Sequence, residues 1–352
     1  MNALLGVLFH SIGGFASGSF YMPYNKVKGW AWESFWIIGG LFSWLIVPPI
    51  AAYLTVPGFA EIISATSGNI LRLTFMMGLL WGIGGLTYGL GVRYLGMSLG
   101  NSIMLGLCST CGALVPAIYY VFNPTPGKVS LTDMLGSSGG QLVLIGLLVC
   151  LLGIVLSGRA GMLKEKEISG NVNRESDKEF SIVKGLIIAC ISGVLSAFFN
   201  FGIETGEPMA NAAVTAGFNP LFQNNVTYVV LLWGGLTTNI IWTTILNIRN
   251  KTYGNFTDKS TPLLKNYIFC ALGGTMWFMQ FFFYGMGESK LGNGASSWIL
   301  HMTTIILTAN LWGVYRKEWK GMSKKTIWTF IIGLVVMFIS VLVVGYGNSL
   351  NI

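Results

Sequence analysis

Ten uninterrupted apolar runs account for most of the chain: roughly 3–22, 35–54, 71–92, 97–121, 139–157, 183–203, 225–246, 267–287, 296–315 and 326–346. Crossing about 30 Å of hydrocarbon takes about 20 apolar residues in a helix. A closed β-barrel would instead read as short segments of alternating polarity, and these runs are continuous. The pattern predicts an all-α polytopic membrane protein of ten transmembrane helices with short connectors. Composition agrees: 53% of the 352 residues are hydrophobic, only 10% are charged, and the mean hydropathy is +0.65. Soluble domains carry about 25% charged residues. The first run has no charged stretch ahead of it and no small-residue cleavage site behind it, so it reads as a retained helix.

The halves of this pattern repeat. Trp81-x6-Tyr88-Gly89-x-Gly91-x3-Leu95-Gly96 in the third run recurs as Trp277-x6-Tyr284-Gly285-x-Gly287-x3-Leu291-Gly292 in the eighth, offset by 196. GLLVCLLGIVLSG at 146–158 matches GLVVMFISVLVVG at 333–345, offset by 187. Gly6, Gly14, Ser17 and Phe20 correspond to Gly185, Gly193, Ser196 and Phe199, offset by 179. Three matches in the same order predict two five-helix repeats, 1–160 and 183–352, joined by a charged connector at 161–182. Five is odd, so the second repeat enters the membrane from the opposite side. Inverted repeats are typical of secondary transporters, with the substrate held near the midplane at the repeat interface.

The net charge of +8 is distributed by connector. Alternate connectors, beginning with the one between the first and second helices, hold 18 Lys and Arg; the other set, with both termini, holds only Arg72, Lys128 and Lys290. Basic residues accumulate on the cytoplasmic side, which predicts both termini outside and the 161–182 connector inside. The excess charge is therefore topogenic and implies no nucleic-acid partner. All five cysteines fall within apolar runs; Cys108 and Cys111 have CxxC spacing but no companion cluster, so they read as packing residues with no metal role.

Four motifs carry a family resemblance: Phe20-Tyr21-x-Pro23-x2-Lys26-Val27-Lys28-x-Trp30-x-Trp32-Glu33, Arg93-Tyr94-Leu95-Gly96-Met97-Ser98, Trp277-x2-Gln280-Phe281-Phe282-Phe283-Tyr284, and Ser297-Trp298-x-Leu300-His301-Met302. Together they resemble the L-rhamnose/proton symporters of the drug/metabolite transporter superfamily, from the first helix to the last. The resemblance implies a ten-helix fold and uptake of L-rhamnose with protons across a bacterial inner membrane, with no cofactor beyond the coupling proton and no obligate protein partner. The runner-up is an exporter or facilitator of another small sugar or metabolite on the same fold.

Chemistry narrows to a few side chains. Intramembrane titratable groups are costly and face the bundle interior by default. His10 and His301 are the two histidines, both within apolar runs, and histidine is suited to proton coupling because its pKa lies near physiological pH. His10 shares a helical stripe with Gly13, Gly14, Ser17 and Tyr21, repeated in the sixth helix by Ala189, Ser192, Gly193, Ser196 and Asn200; such stripes also serve plain helix packing. A pyranose offers hydroxyls at its edge and C–H groups on its faces, which call for polar partners and aromatic walls. The candidates are Trp81, Tyr88, Trp277, Gln280, Tyr284, Trp298 and His301. Gln280 stands out because its repeat counterpart is Gly84, so symmetry does not account for it. Glu33, beside Trp30 and Trp32, reads as an interface anchor or gate with Lys26 or Lys28 as its pairing partner, while Glu204, Glu207 and Glu288 read as exterior loop charges.

Other classes fit poorly. An intramembrane enzyme needs a nucleophile with its base or a metal cluster; HExxH does not occur, and the GxSxG matches at Gly96-Met97-Ser98-Leu99-Gly100 and Gly136-Ser137-Ser138-Gly139-Gly140 have no histidine near them in the sequence. The nucleotide motif GxxxxGK[ST] is also missing. Protons suffice energetically: one charge through 100 mV is worth about 2.3 kcal/mol, so about 150 mV sustains a sugar gradient of roughly 300-fold. A sugar sensor is a further alternative, but the chain has no recognisable signalling segment.

Overall fold

A computed structural model describes residues 2–95, 97–125, 127–169, 182–315 and 319–350. Among them there is no strand, and the helices in chain order are α1 (Asn2–Ser19), α2 (Tyr21–Tyr24), α3 (Trp32–Gly40), a π-helical turn (Leu41–Ile46), α4 (Val47–Thr55), α5 (Phe59–Ala65), α6 (Gly68–Leu95), α7 (Met97–Phe122), α8 (Leu131–Gly136), α9 (Ser138–Ser169), α10 (Ile182–Thr205), α11 (Glu207–Thr215), α12 (Asn224–Asn250), α13 (Leu263–Leu291), α14 (Gly294–Tyr315) and α15 (Lys324–Ser349). Nine helical spans among the described residues are long and apolar enough to cross a membrane. The ninth predicted run forms α14, which at 22 residues is long enough. It is not among the nine because Ser296, Ser297, His301, Thr303, Thr304 and Asn310 dilute its apolar character. Helix α9 runs to Ser169, past the expected start of the connector at 161, while 170–181 lie outside the described residues.

The second span changes its winding midway. α3, the π turn and α4 run on continuously from Trp32 to Thr55, with Pro48 and Pro49 at the start of α4. Those prolines lack the N–H groups that an α-helix would offer to the carbonyls of residues 44 and 45. The wider ladder is visible at Val47, whose N–H reaches the carbonyl of Phe42. π turns of this kind are frequent at functional sites.

Two compact units result. One comprises Met1–Gly14, Gly84–Ala197 and Lys290–Ile352; the other comprises Phe15–Ile83 and Phe198–Ser289. Each draws helices from both halves of the chain. In the first unit α9 and α15 pack along a seam of small residues. Gly139, Gly146 and Gly153 recur every seven residues on α9, as do Gly333, Ser340 and Gly347 on α15. They meet in antiparallel register: Gly153 against Gly333, Gly146 against Ser340, and Gly139 against Gly347. Ser340 Oγ also donates to the Gly146 carbonyl at 2.8 Å. Small residues matter here because lipid tails are as apolar as leucine, leaving close van der Waals packing to hold helices together. The opposite face of α15, with Ile332, Val335, Phe338, Ile339 and Leu342, is exposed, as a lipid-facing surface should be.

The second unit uses the same device twice. Gly78 of α6 lies against Gly234 of α12, and Gly274 of α13 lies against Gly39 of α3. A hydroxyl reinforces each crossing: Thr238 Oγ1 donates to the Leu79 carbonyl at 3.0 Å, and Ser43 Oγ to the Gly274 carbonyl at 2.8 Å.

The seams predict where size is forbidden. Gly153→Leu and Gly274→Leu push a side chain against a facing backbone, and overpacking costs about 1–3 kcal/mol or more. Each is expected to lower the melting temperature and the monodisperse yield in detergent. Gly85→Ala, where a Cβ meets nothing within 4 Å, should change neither. A Gly153→Leu protein as stable as the parent would refute the seam.

Candidate functional site

In the first unit the two histidines, 291 positions apart in sequence, come together. His10 of α1 and His301 of α14 are both fully buried, their ring centroids 5.8 Å apart and their planes at 63°. Thr304, one turn beyond His301, fixes the crossing: its hydroxyl lies 3.0 Å from the His10 carbonyl and 2.9 Å from the His301 carbonyl. Gly14 makes this possible, since a Cβ there would run into Thr304. Trp298, one turn earlier on α14, is enclosed; its indole N–H donates to the Cys108 carbonyl at 3.0 Å and its ring covers Gly112 of α7. That placement makes it a wedge orienting α14. Histidine titrates near physiological pH, so this buried pair is a candidate for the coupling proton.

In the second unit the expected aromatic residues meet. Trp81 of α6 and Trp277 of α13 are half-buried, 5.5 Å apart and tilted by 37°. Phe281 stacks on Phe199 at 3.9 Å, and Trp277 abuts Phe281 at 5.0 Å. Tyr284 is fully buried and its hydroxyl donates to Asn200 Oδ1 at 3.2 Å, joining two candidates from different helices. Gln280 is buried, and its Nε2 donates to the Trp277 carbonyl at 2.9 Å. One of the two amide N–H donors is thus used within α13. Ser17 is buried, Ser196 is half-buried against Gly84, and Tyr21 is exposed with its hydroxyl accepting from Trp32 Nε1 at 3.3 Å. The side chain of Tyr88 lies outside the described residues.

A family model described as L-rhamnose-proton symport protein (RhaT) matches residues 1–350. The chain belongs to this family. A protein described as L-rhamnose-proton symporter from Yersinia pestis (strain Pestoides F) is 36% identical over 353 residues, covering 98% of each chain. One of the same description from Cronobacter sakazakii (strain ATCC BAA-894) is 34% identical over 356 residues, covering 99% of each. In this RhaT-family chain, several residues at the candidate sites escaped the sequence reading. Trp44, whose ring lies 6.2 Å from Trp81 and 5.6 Å from Trp277, is one. Another is Asn224, which donates to the carboxylate of Glu288. Glu288 is accordingly not a loop charge: it sits half-buried in the last turns of α13. Glu204 is likewise half-buried within α10.

The Glu33 anchor is built differently from the lysine pair expected. Glu33 is buried, and its Oε1 accepts from Asn250 Nδ2 at 3.0 Å and from Thr252 Oγ1 at 2.7 Å. Thr252 reaches it because Lys251 ends α12 in the left-handed conformation, φ 56°. Next to it, Ser34 Oγ lies 3.0 Å from both Asn247 Oδ1 and Asn255 Oδ1. Lys28 contributes only its backbone, donating to Asn266 Oδ1 and accepting from Asn266 Nδ2; Lys26 is exposed. Neutral donors hold the carboxylate among the described residues, so salt should not weaken the anchor.

Glu33→Ala strands the Asn250 and Thr252 donors and is expected to cost about 1–3 kcal/mol, read as a lower melting temperature that is the same at low and high salt. Lys26→Ala and Lys28→Ala should leave that temperature unchanged. A loss in the lysine variants matching that of Glu33→Ala would restore the ion-pair reading.

Proposed function

We propose that this chain takes up L-rhamnose together with protons across a bacterial inner membrane by alternating access, and that it is not an enzyme. The observation carrying this is the match along essentially the whole chain to the L-rhamnose-proton symport family, with relatives of that description at 36% and 34% identity. No cofactor beyond the coupling proton is required, and the partners are the sugar and the lipid bilayer.

The finer architecture we propose is ten spanning helices in two inverted five-helix repeats, with both termini periplasmic. Helix pairing supports the repeats. The offset of 187 carries Gly146 to Gly333 and Gly153 to Ser340, so it exchanges the two contacts Gly146–Ser340 and Gly153–Gly333. In the other unit, offsets of 196 and 195 carry the Gly78–Gly234 crossing onto Gly274–Gly39. Exchange of this kind is the mark of a two-fold relation. The division of basic residues supports the orientation.

For the site, we assign the sugar to Trp81, Trp277, Gln280 and Tyr284, with Tyr88 as a further member and Asn200 holding the Tyr284 hydroxyl. Half-buried indole faces suit the C–H faces of a pyranose, and the Gln280 carboxamide oxygen suits a hydroxyl donor. The proton belongs to His10 and His301, with Trp298 as their support. Ser17, Tyr21 and Ser196 remain residues of the cavity stripe, and Glu33 is an interface anchor with gating as its second role.

Proteoliposome flux tests the function: L-rhamnose uptake should alkalinise the external medium and collapse with an uncoupler. Uptake indifferent to both would exclude proton symport and favour a facilitator. His301→Ala is expected to abolish accumulation while sugar exchange without a gradient survives. Gln280→Leu should weaken sugar binding about tenfold, the effect of one buried hydrogen bond, with normal yield. Equal loss of yield in both variants would make them packing residues. A C-terminal reporter fusion should behave as periplasmic; cytoplasmic behaviour would invert the orientation.

A further inference from the structure

The aromatic group of the second unit contains a polar atom that its scaffold does not use. Trp44, on the π turn, is 3% exposed and its Nε1 has no hydrogen-bond partner among the described residues. Its polar neighbours are committed: Trp36 Nε1 donates to Asn239 Oδ1 at 3.0 Å, and Ser43 donates to the Gly274 carbonyl. Trp44 stands edge-on to Trp81 and to Trp277, at 84° and 89°. Phe20, Tyr24, Trp36, Ser43 and Trp277 close around it and leave no room even for a water molecule.

A buried donor left unmade costs about 1–3 kcal/mol, a cost relieved only when an acceptor arrives. An indole N–H donates and cannot accept, so the acceptor is an oxygen such as that of a sugar hydroxyl. Repeat symmetry does not account for the Trp44 indole N–H. Its counterpart at an offset of 195 is Asn239, whose amide is spent on Trp36 and on the Gly235 carbonyl. Ligand pockets hold roughly 300–1,000 Å³, so binding a pyranose here requires the rings to separate. Trp44 lies on a π turn, and such turns are frequent at functional sites.

We propose that Trp44 donates its indole N–H to a hydroxyl oxygen of the sugar, between the ring faces of Trp81 and Trp277, and so sets which hydroxyl the substrate must carry. This rests on the assignment of the sugar to Trp81, Trp277 and Gln280.

Calorimetric titration of the full-length protein with L-rhamnose and with its monodeoxy analogues tests it, in the parent, Trp44→Phe, Trp44→Tyr and Trp277→Phe. One analogue should bind the parent about tenfold more weakly than rhamnose does, and that difference should vanish in Trp44→Phe. Rhamnose itself should bind Trp44→Phe about tenfold more weakly, with no fall in the melting temperature of the sugar-free protein. If Trp44→Phe is poorly folded, Trp44→Tyr should show the same loss of discrimination. Parent-like affinity in Trp44→Phe with weakened binding in Trp277→Phe overturns the role of Trp44 and leaves the site standing. Parent-like affinity in both overturns the site as well. A melting temperature that falls with affinity while the analogue ranking persists makes Trp44 a packing residue and overturns the proposal.

Discussion

Close approach of backbones within hydrocarbon is the constraint on which the rest of this structure depends. Apolar side chains gain little by leaving lipid for a protein interior, so helices are held by dispersion contact and by polar groups bonded across the crossing. Here both appear at the same places. Glycine faces glycine at Gly153–Gly333, Gly78–Gly234 and Gly39–Gly274, and a hydroxyl from Ser340, Thr238 or Ser43 reaches a carbonyl of the partner helix near each. Trp44, Trp81, Trp277, Phe199 and Phe281 gather beside the glycine crossings, where Gly235 and Gly40 leave room for the rings of Trp81 and Trp44.

Polar groups follow a second rule, that a buried donor or acceptor is expensive unless met. Thr304 meets it for the α1–α14 crossing, bonding two carbonyls and bringing the imidazoles of His10 and His301 to 5.8 Å. Asparagines meet it around Glu33, where Asn247, Asn250, Asn255 and Asn266 stitch the 28–34 segment to α12, to the Tyr253–Phe256 turn and to α13. An anchor made of neutral donors should keep its strength as salt rises.

Much of this was legible from residues alone, for identifiable reasons. Run length gave the helices, because hydrocarbon thickness leaves little freedom. The stripe Trp277–Gln280–Phe281–Tyr284–Glu288 faces inward as its spacing requires, half-buried only at its two ends. What escaped was mostly difference rather than likeness. A search for repeats finds Trp81 and Trp277 because they match, and passes over Trp44 because its counterpart is Asn239. Charge counting offered lysines to Glu33 because amides carry no charge to count. The meeting of His10 with His301, and of Tyr284 with Asn200, depends on how distant helices cross, which no local pattern encodes. The polarity of α14 was visible in the ninth apolar run, where Thr303 and Thr304 bond the neighbouring helices α9 and α1.

The α9–α15 seam has a consequence for ancestry. Two of its three contacts, Gly146–Ser340 and Gly153–Gly333, map onto each other under one offset. A surface that complements its own inverted image needs no second sequence to recognise. Two identical chains inserted in opposite senses would already present those two contacts, and fusing them through a charged linker would keep them. Divergence could then proceed away from the seam, turning Gly84 and Gln280, or Asn239 and Trp44, from equivalents into opposites.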